Sequence, residues 1–242
     1  MKITSEGLTT ITFVLGGEIL KFRHEIKHYI NFSDYLAIRS RLKHIAKTDS
    51  HANQDGQYKI RSIYFDNYND KVLAEKILGF NKRSKFRIRF YNDDASFIRL
   101  EKKSKINGLC SKTSTSITKE ECEAIICGQY EFLKESEKPL FNELYLAIKE
   151  QLLRPKTIVD YIREAYIYDV GNVRVTFDIG VRTGISSTNL FETDLPTVDV
   201  VRNNVIILEV KYDEFLPEII SHTIQLNDRR AAAISKYAMC RI

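Results

Sequence analysis

The chain has 242 residues, of which 43% are hydrophobic, 11% aromatic and 29% charged, with a formal net charge of +5. That length buries a real core and fits one large domain or two small ones, and only 4 prolines and 10 glycines exclude long low-complexity linkers. A charge of +5 alone signals no more than a mild attraction to anions.

Cys110, Cys122, Cys127 and Cys240 form no C-x-x-C pair and have no histidine at zinc-finger spacing, so they read as reduced, small buried side chains. His24, His28, His44, His51 and His222 likewise show no metal-ligand spacing. The apolar run at 11–15 is too short for a membrane span and lacks a basic n-region, which predicts a soluble, unsecreted, cytoplasmic protein.

In chain order, residues 1–20 read as a leader strand or docked arm, and 21–242 as one domain. Alternation predicts a strand over 22–30, followed by a helix capped by Ser33 and carrying Leu36, Ile38, Leu42 and Ile45. A polar turn at 49–57 leads to a strand at 58–66 and a short helix from Asn69 or Asp70 to Gly79. Strands at 85–91 and 96–105, split by Asn92-Asp93-Asp94, read as a hairpin. An extended piece at 111–117 enters a capping box, Thr118 with Glu121, for a helix through Cys127. Pro139 opens a long amphipathic helix that Pro155 stops. Strands at 158–170 and 172–181 turn at Gly171. A polar segment precedes the strand at 205–212, Pro217 opens a further helix, and 235–241 follows.

In a strand, residues i and i+2 share a face. Glu25 and Lys27 share one, as do Arg87 with Arg89, and Arg99 with Glu101 and Lys103. Arg174, Thr176 and Asp178 oppose Val173, Val175 and Phe177, while Glu209 and Lys211 oppose Leu208 and Val210. One such row is an ordinary solvated sheet face. Five rows of mixed charge, with two adjacent arginines that repel unless an anion neutralises them, predict something else. Closing the sheet puts the rows inside a barrel and the apolar rows beneath helices. The expected fold is therefore α+β, an antiparallel β-barrel or tunnel of about eight strands with flanking helices.

The candidate lining holds ten cations, Lys27, Arg61, Arg87, Arg89, Lys103, Lys112, Arg163, Arg174, Lys211 and Lys236, against four carboxylates, Glu25, Glu101, Asp178 and Glu209. Such an excess suits a multivalent anion such as a phosphate chain, gripped by arginine forks. The carboxylates would repel that chain unless they hold Mg²⁺ or Mn²⁺. Single-stranded nucleic acid is disfavoured by the same carboxylates. Tyr64, Phe65, Phe86, Phe90 and Phe177 read as wall packing, and Lys82, Lys102 and Lys105 as solvated charges.

The segments R-H-E-I-K-H-Y (23–29), I-R-S-I-Y-F-D (60–66), K-F-R-I-R-F-Y (85–91), L-E-K-K (100–103), Y-I-R-E-A-Y (161–166), V-R-V-T-F-D (173–178), I-L-E-V-K-Y (207–212) and S-K-Y (235–237) occur in one order. That ordered set resembles the triphosphate tunnel metalloenzymes and, more closely, the VTC-type polyphosphate polymerase domain. The resemblance implies transfer of the terminal phosphate of ATP to a polyphosphate chain, assisted by Mn²⁺ or Mg²⁺. It implies catalytic roles for Arg87, Arg89, Lys103 and Lys27, and phosphate binding by Arg61, Lys112, Arg163, Arg174, Lys211 and Lys236. Glu209 resembles the metal carboxylate, with Glu25 and Glu101 as helpers. Arg23 stands where hydrolytic members carry a first glutamate, which makes two-metal hydrolysis the weaker expectation; a tunnel triphosphatase and a non-catalytic polyphosphate-binding module are the alternatives. Eukaryotic relatives carry a phosphate-sensing domain and membrane helices that this sequence lacks, leaving docking on a membrane partner open. The sequence carries no signal for oligomeric state.

Overall fold

The computed structural model describes residues 12–15, 18–50, 52–201, 205–226 and 229–242. Strands β1 (Thr12–Leu15) and β2 (Glu18–Lys21) pair as an antiparallel hairpin, and the rest of the expected arm at 1–20 lies outside the described residues.

The main sheet begins with β3 (His24–Ile30). Helix α1 (Phe32–Ile45) follows, capped not by Ser33 but by Asn31: Asp34 N–H donates to Asn31 Oδ1 at 2.8 Å and Asn31 N–H to Asp34 Oδ2 at 3.2 Å. This reciprocal box needs a side-chain acceptor three residues before a carboxylate, and N-x-x-D supplies it. Leu36 faces outward, and Tyr35, Ile38 and Leu42 form the buried stripe.

Then come β4 (Lys47–Thr48), β5 (Gln57–Asp66), α2 (Lys71–Ile77), β6 (Lys82–Tyr91), β7 (Asp94–Ile106) and β8 (Leu109–Ile117). Helix α3 (Lys119–Ile126) carries the expected Thr118–Glu121 box, and α4 (Pro139–Gln151) has its proline in the first turn. The chain continues through β9 (Arg154–Tyr168), β10 (Val173–Thr183), β11 (Val198–Asp199), β12 (Ile206–Tyr212), α5 (Glu218–Ile224) and α6 (Lys236–Met239). Between β9 and β10, Gly171 sits at φ +71°, where an added Cβ would lie 2.8 Å from the Phe215 carbonyl oxygen. Glycine is needed there for both conformation and space.

Ten strands form one antiparallel sheet in the order β3-β12-β10-β9-β5-β6-β7-β8, with β4 on β9 and β11 on β10. The expected barrel is corrected in one respect: the sheet is not closed. Among the described residues its two edges meet at one isolated bridge, where Arg23 and Cys110 exchange backbone hydrogen bonds of 2.9 and 3.1 Å.

The outer face carries two cores. Phe86, Ile88, Phe90, Ile98 and Leu100 pack beneath α3 and α4, and Val173, Val175, Phe177, Leu208 and Val210 beneath α1 and α5. At about 1.5–3 kcal/mol for each fully buried large apolar side chain, these rows fix which face points outward. The inner face is not charged throughout. Ile60, Val159, Val181 and Ile207 pack there against Ile234, Tyr237 and Cys240, so the C-terminal segment fills one end of the sheet's concavity. A bulge between Ile179 and Arg182 brings Val181 to that side. Asp66 anchors the filling, accepting from the Tyr237 hydroxyl at 2.5 Å and from the backbone of Val72 and Leu73 at 2.8 and 3.1 Å.

Candidate functional site: a cationic cavity inside the sheet

The concave face encloses a cavity of about 640 Å³ lined by eleven Lys or Arg side chains and five carboxylates. Strand parity places most of them: β3 contributes Glu25 and Lys27, β6 Lys85, Arg87 and Arg89, β7 Glu101 and Lys103, and β12 Glu209 and Lys211. Arg163 of β9, Arg174 of β10 and Lys236 of α6 complete the cationic wall.

Four carboxylate centres organise these cations. Lys27 Nζ lies 2.9 Å from Glu25 Oε1 and 3.1 Å from Glu209 Oε2. Lys103 reaches Glu25 at 2.6 Å, and Lys211 reaches Glu209 at 2.5 Å. Burial opposes the charge on both glutamates, but the surrounding lysines outweigh it and hold both carboxyls below their ordinary range. Glu101 takes Arg87 at 2.6 Å and Lys112 at 3.1 Å. Asp178 receives two hydrogen bonds from Arg163, 2.6 and 2.8 Å, and pairs with Lys236. Asp49 pairs with Arg174, whose Nη2 also donates to the Tyr58 hydroxyl at 2.7 Å.

Arg89 differs from the rest. It is 4% exposed, and its hydrogen-bond acceptors are neutral, Ser62 Oγ and the Tyr161 hydroxyl, each at 2.9 Å. Lys85, on the same face of β6, is half-buried, its Nζ 5.0 Å from the Tyr64 ring centroid and 3.5 Å from Ser235 Oγ. Burial, reinforced by Lys103 and Lys27, pushes the Lys85 ammonium down to about 7 despite Tyr64. Burial raises the Tyr64 phenol, but Arg87, Lys85 and Arg89 pull it down to about 7. Lys211 falls to about 8, chiefly through burial. Half-buried cations with lowered pKa values suit a polyanion, whose charge would raise them again.

A smaller cavity of about 110 Å³ continues past Lys27, Lys85 and Lys103 and adds Lys76, Arg83 and Lys105. Lys105 is therefore part of a cavity wall, not a plain solvated charge. The C-terminal segment crosses here: Lys76 Nζ donates to Ala233 O at 2.7 Å and Lys27 Nζ to Ile234 O at 3.2 Å.

Of the residues picked out from sequence, Lys27, Arg87, Arg89, Lys103, Lys112, Arg163, Arg174, Lys211, Lys236, Glu25, Glu101 and Glu209 all line the cavity. Arg61 does not. Its side chain points to the opposite face, forks onto Asp160 at 2.8–3.0 Å and donates to the carbonyls of Leu190 and Glu192. The parity of β5 decides this, since Tyr58, Ser62 and Tyr64 face inward and Arg61 alternates with them. Lys85, Asp49, Tyr58, Tyr64 and Tyr161 line the cavity without having been singled out as site residues. Lys85 has the same parity as Arg87 and Arg89, and Tyr161 the same as Arg163, so the signal was present.

Among the described residues, no three His, Cys, Asp or Glu side chains assemble as metal ligands. The convergent pair is Glu25 and Glu209, whereas Glu101 sits apart with Arg87 and Lys112. Both members of the pair are held by lysine ammoniums, Glu25 by Lys27 and Lys103 and Glu209 by Lys27 and Lys211, so Mg²⁺ or Mn²⁺, which take one or two carboxylates, would fit there only by replacing some of these contacts.

A curled antiparallel sheet with an inward cationic wall defines a triphosphate tunnel fold. One solved structure agrees: a Hippeastrum protein described as a putative adenylyl cyclase with a dominant triphosphatase activity superposes with a TM-score of 0.54 at 16% identity, covering 90% of this chain and 94% of that one. A putative adenylate cyclase from Bacillus halodurans gives 0.49 at 13%, covering 84% and 86%. No curated protein matches by sequence. The VTC domain family matches residues 22–241, and the chain belongs to that family. No helix among the described residues is long and apolar enough to cross a membrane.

Proposed function

We propose that the protein is a polyphosphate polymerase that transfers the terminal phosphate of ATP to a polyphosphate chain held in the cavity. The family and the fold support a polyphosphate- or triphosphate-related function at the coarser level. The observation that supports the reading is the wall itself, eleven cations against five carboxylates around one partly open cavity, which suits a phosphate chain. The attacking group would be an acceptor phosphate oxygen, already ionised, so no protein nucleophile is required. Catalysis is then positioning and neutralisation of charge spread over the transferring phosphoryl oxygens.

Arg87, Arg89 and Lys103 converge from neighbouring strands and would take those oxygens. Arg163, Arg174, Lys211 and Lys236 would hold the flanking phosphates, and Lys112, 54% exposed, would meet the chain nearer solvent. Glu209 with Glu25 would hold the divalent metal, which would supply neutralisation of phosphate charge. Lys27 bridges the two carboxylates and helps hold both ionised.

A triphosphatase is the competing reading, favoured by the same Glu25–Glu209 pair, which can serve a metal that activates water. Products separate them. Pure protein with ATP and Mn²⁺ should yield ADP and long-chain polymer with little free phosphate. Stoichiometric free phosphate without polymer makes it a hydrolase, and salt-sensitive polyphosphate binding without turnover makes it a binding module.

A further inference from the structure

The cavity wall changes character along its length. Its middle presents guanidinium and ammonium groups, whereas the end where β6 turns into β7 is lined by Tyr91, Asn92, Asp94 and Phe97. None of these four is cationic and one is an acid. Asn92 and Asp93 both adopt left-handed backbone, φ +52° and +58°, as a two-residue type I′ hairpin requires, so the turn is fixed.

Phe97 is the unexpected residue. It shares the inward parity of Glu101 and Lys103, while Ile98 and Leu100 are buried in the outer core, yet it is 51% exposed. The ring is held in place on two sides. Tyr91 lies 6.3 Å away, centroid to centroid, at 33°, and the Arg99 guanidinium lies 5.8 Å from the Phe97 centroid. Arg99 is itself fixed by hydrogen bonds of 3.0 Å to Ser114 Oγ and to Ser114 O. A pre-positioned aromatic ring thus stands at the rim of the 640 Å³ cavity.

Asp94 adds the second constraint. Its carboxylate accepts from Ser96 N–H at 2.8 Å, and that bond helps hold it ionised. An anion there repels phosphate, so this end is a poor continuation of a polyphosphate track. A flat, uncharged group carrying N–H or O–H donors suits it: the ring stacks and the acid accepts.

We propose that Phe97, Tyr91 and Asp94 seat the base and ribose of a nucleoside triphosphate whose phosphates point into the cationic middle of the cavity. The proposal rests on the triphosphate reading above and adds to it a nucleoside subsite and a direction of entry. Base–aromatic stacking is worth about tenfold or more in affinity per base, which sets the expected effect.

The test compares two ligands by calorimetric titration of the full chain: an ATP analogue with a non-hydrolysable β,γ bridge, and inorganic tripolyphosphate, which has no base. Phe97→Ala should weaken the nucleotide about tenfold and leave tripolyphosphate within twofold of wild type. Phe97→Tyr should restore nucleotide affinity, and Asp94→Asn should weaken the nucleotide while leaving tripolyphosphate the same or tighter. Equal losses for both ligands in Phe97→Ala, or no loss for either, overturn the nucleoside subsite alone. Wild-type protein that binds neither ligand overturns the triphosphate reading and the subsite with it.

Discussion

Glu25 and Glu209 come from the two strands β3 and β12 and share one ammonium, that of Lys27, at 2.9 and 3.1 Å. Lys27→Met would leave the two carboxylates without their shared ammonium, balanced by Lys103, Lys211 and the more distant Lys236. Both carboxyls are depressed in the folded protein, so their contribution to stability is present above the ordinary carboxylate pKa and is lost as pH falls through the folded values. Removing Lys27 raises those folded values. The acid-unfolding midpoint of Lys27→Met, followed by circular dichroism, should therefore move to higher pH than that of wild type.

Arg89 separates binding from folding. Its direct partners are hydroxyls, and its repulsion from Arg87 is offset by Tyr161 and Glu101 without a direct ion pair. Arg89→Leu should keep or raise the melting temperature while weakening tripolyphosphate by about tenfold or more, since a charge-assisted contact contributes about 1.5–3 kcal/mol. A clear fall in melting temperature would make Arg89 a structural residue.

Arg61 should behave in the opposite way. It is 3% exposed and paired with Asp160, so Arg61→Leu leaves a buried carboxylate uncompensated and should cost about 3–5 kcal/mol in denaturant unfolding. The protein that remains folded should bind tripolyphosphate with wild-type affinity.

Lys85 and Lys211 make binding proton-linked. Their pKa values of about 7 and about 8 leave both partly neutral near pH 8, and a bound polyanion would raise them. Tripolyphosphate titrated at pH 8 in buffers of different ionisation enthalpy should show net proton uptake. Affinity should fall as pH rises from 7 to 9, and Lys85→Met should reduce the uptake.

The charged rows of β3, β6, β7, β10 and β12 were legible because a period of two needs no knowledge of the partner strand. Arg61 was misplaced for a different reason. Its segment reads like a phosphate grip, and only the register opposite Asp160 shows that it points away. The apolar half of the inner face was also hidden, because Ile60, Val159 and Ile207 are brought together by a C-terminal segment distant in sequence. Asn31 was overlooked as a cap because Ser33, two residues on, offers a competing hydroxyl. Phe97 carried no local mark, as an aromatic on a strand reads as packing until its surroundings are known.

The pairing of β3 with β12 also bears on how the protein reaches its native state. His24–Ile30 waits for Ile206–Tyr212, so the ladder that brings Lys27 to Glu209 joins segments almost the whole domain apart. Contacts of such long range impose a large loop-closure cost before they return any stability, which makes this a late and slow step. The anion-gripping centre is completed by that same step. A nascent or half-folded chain therefore lacks the assembled trap for cellular phosphate, and capture of the anion reports that the longest-range pairing has been made.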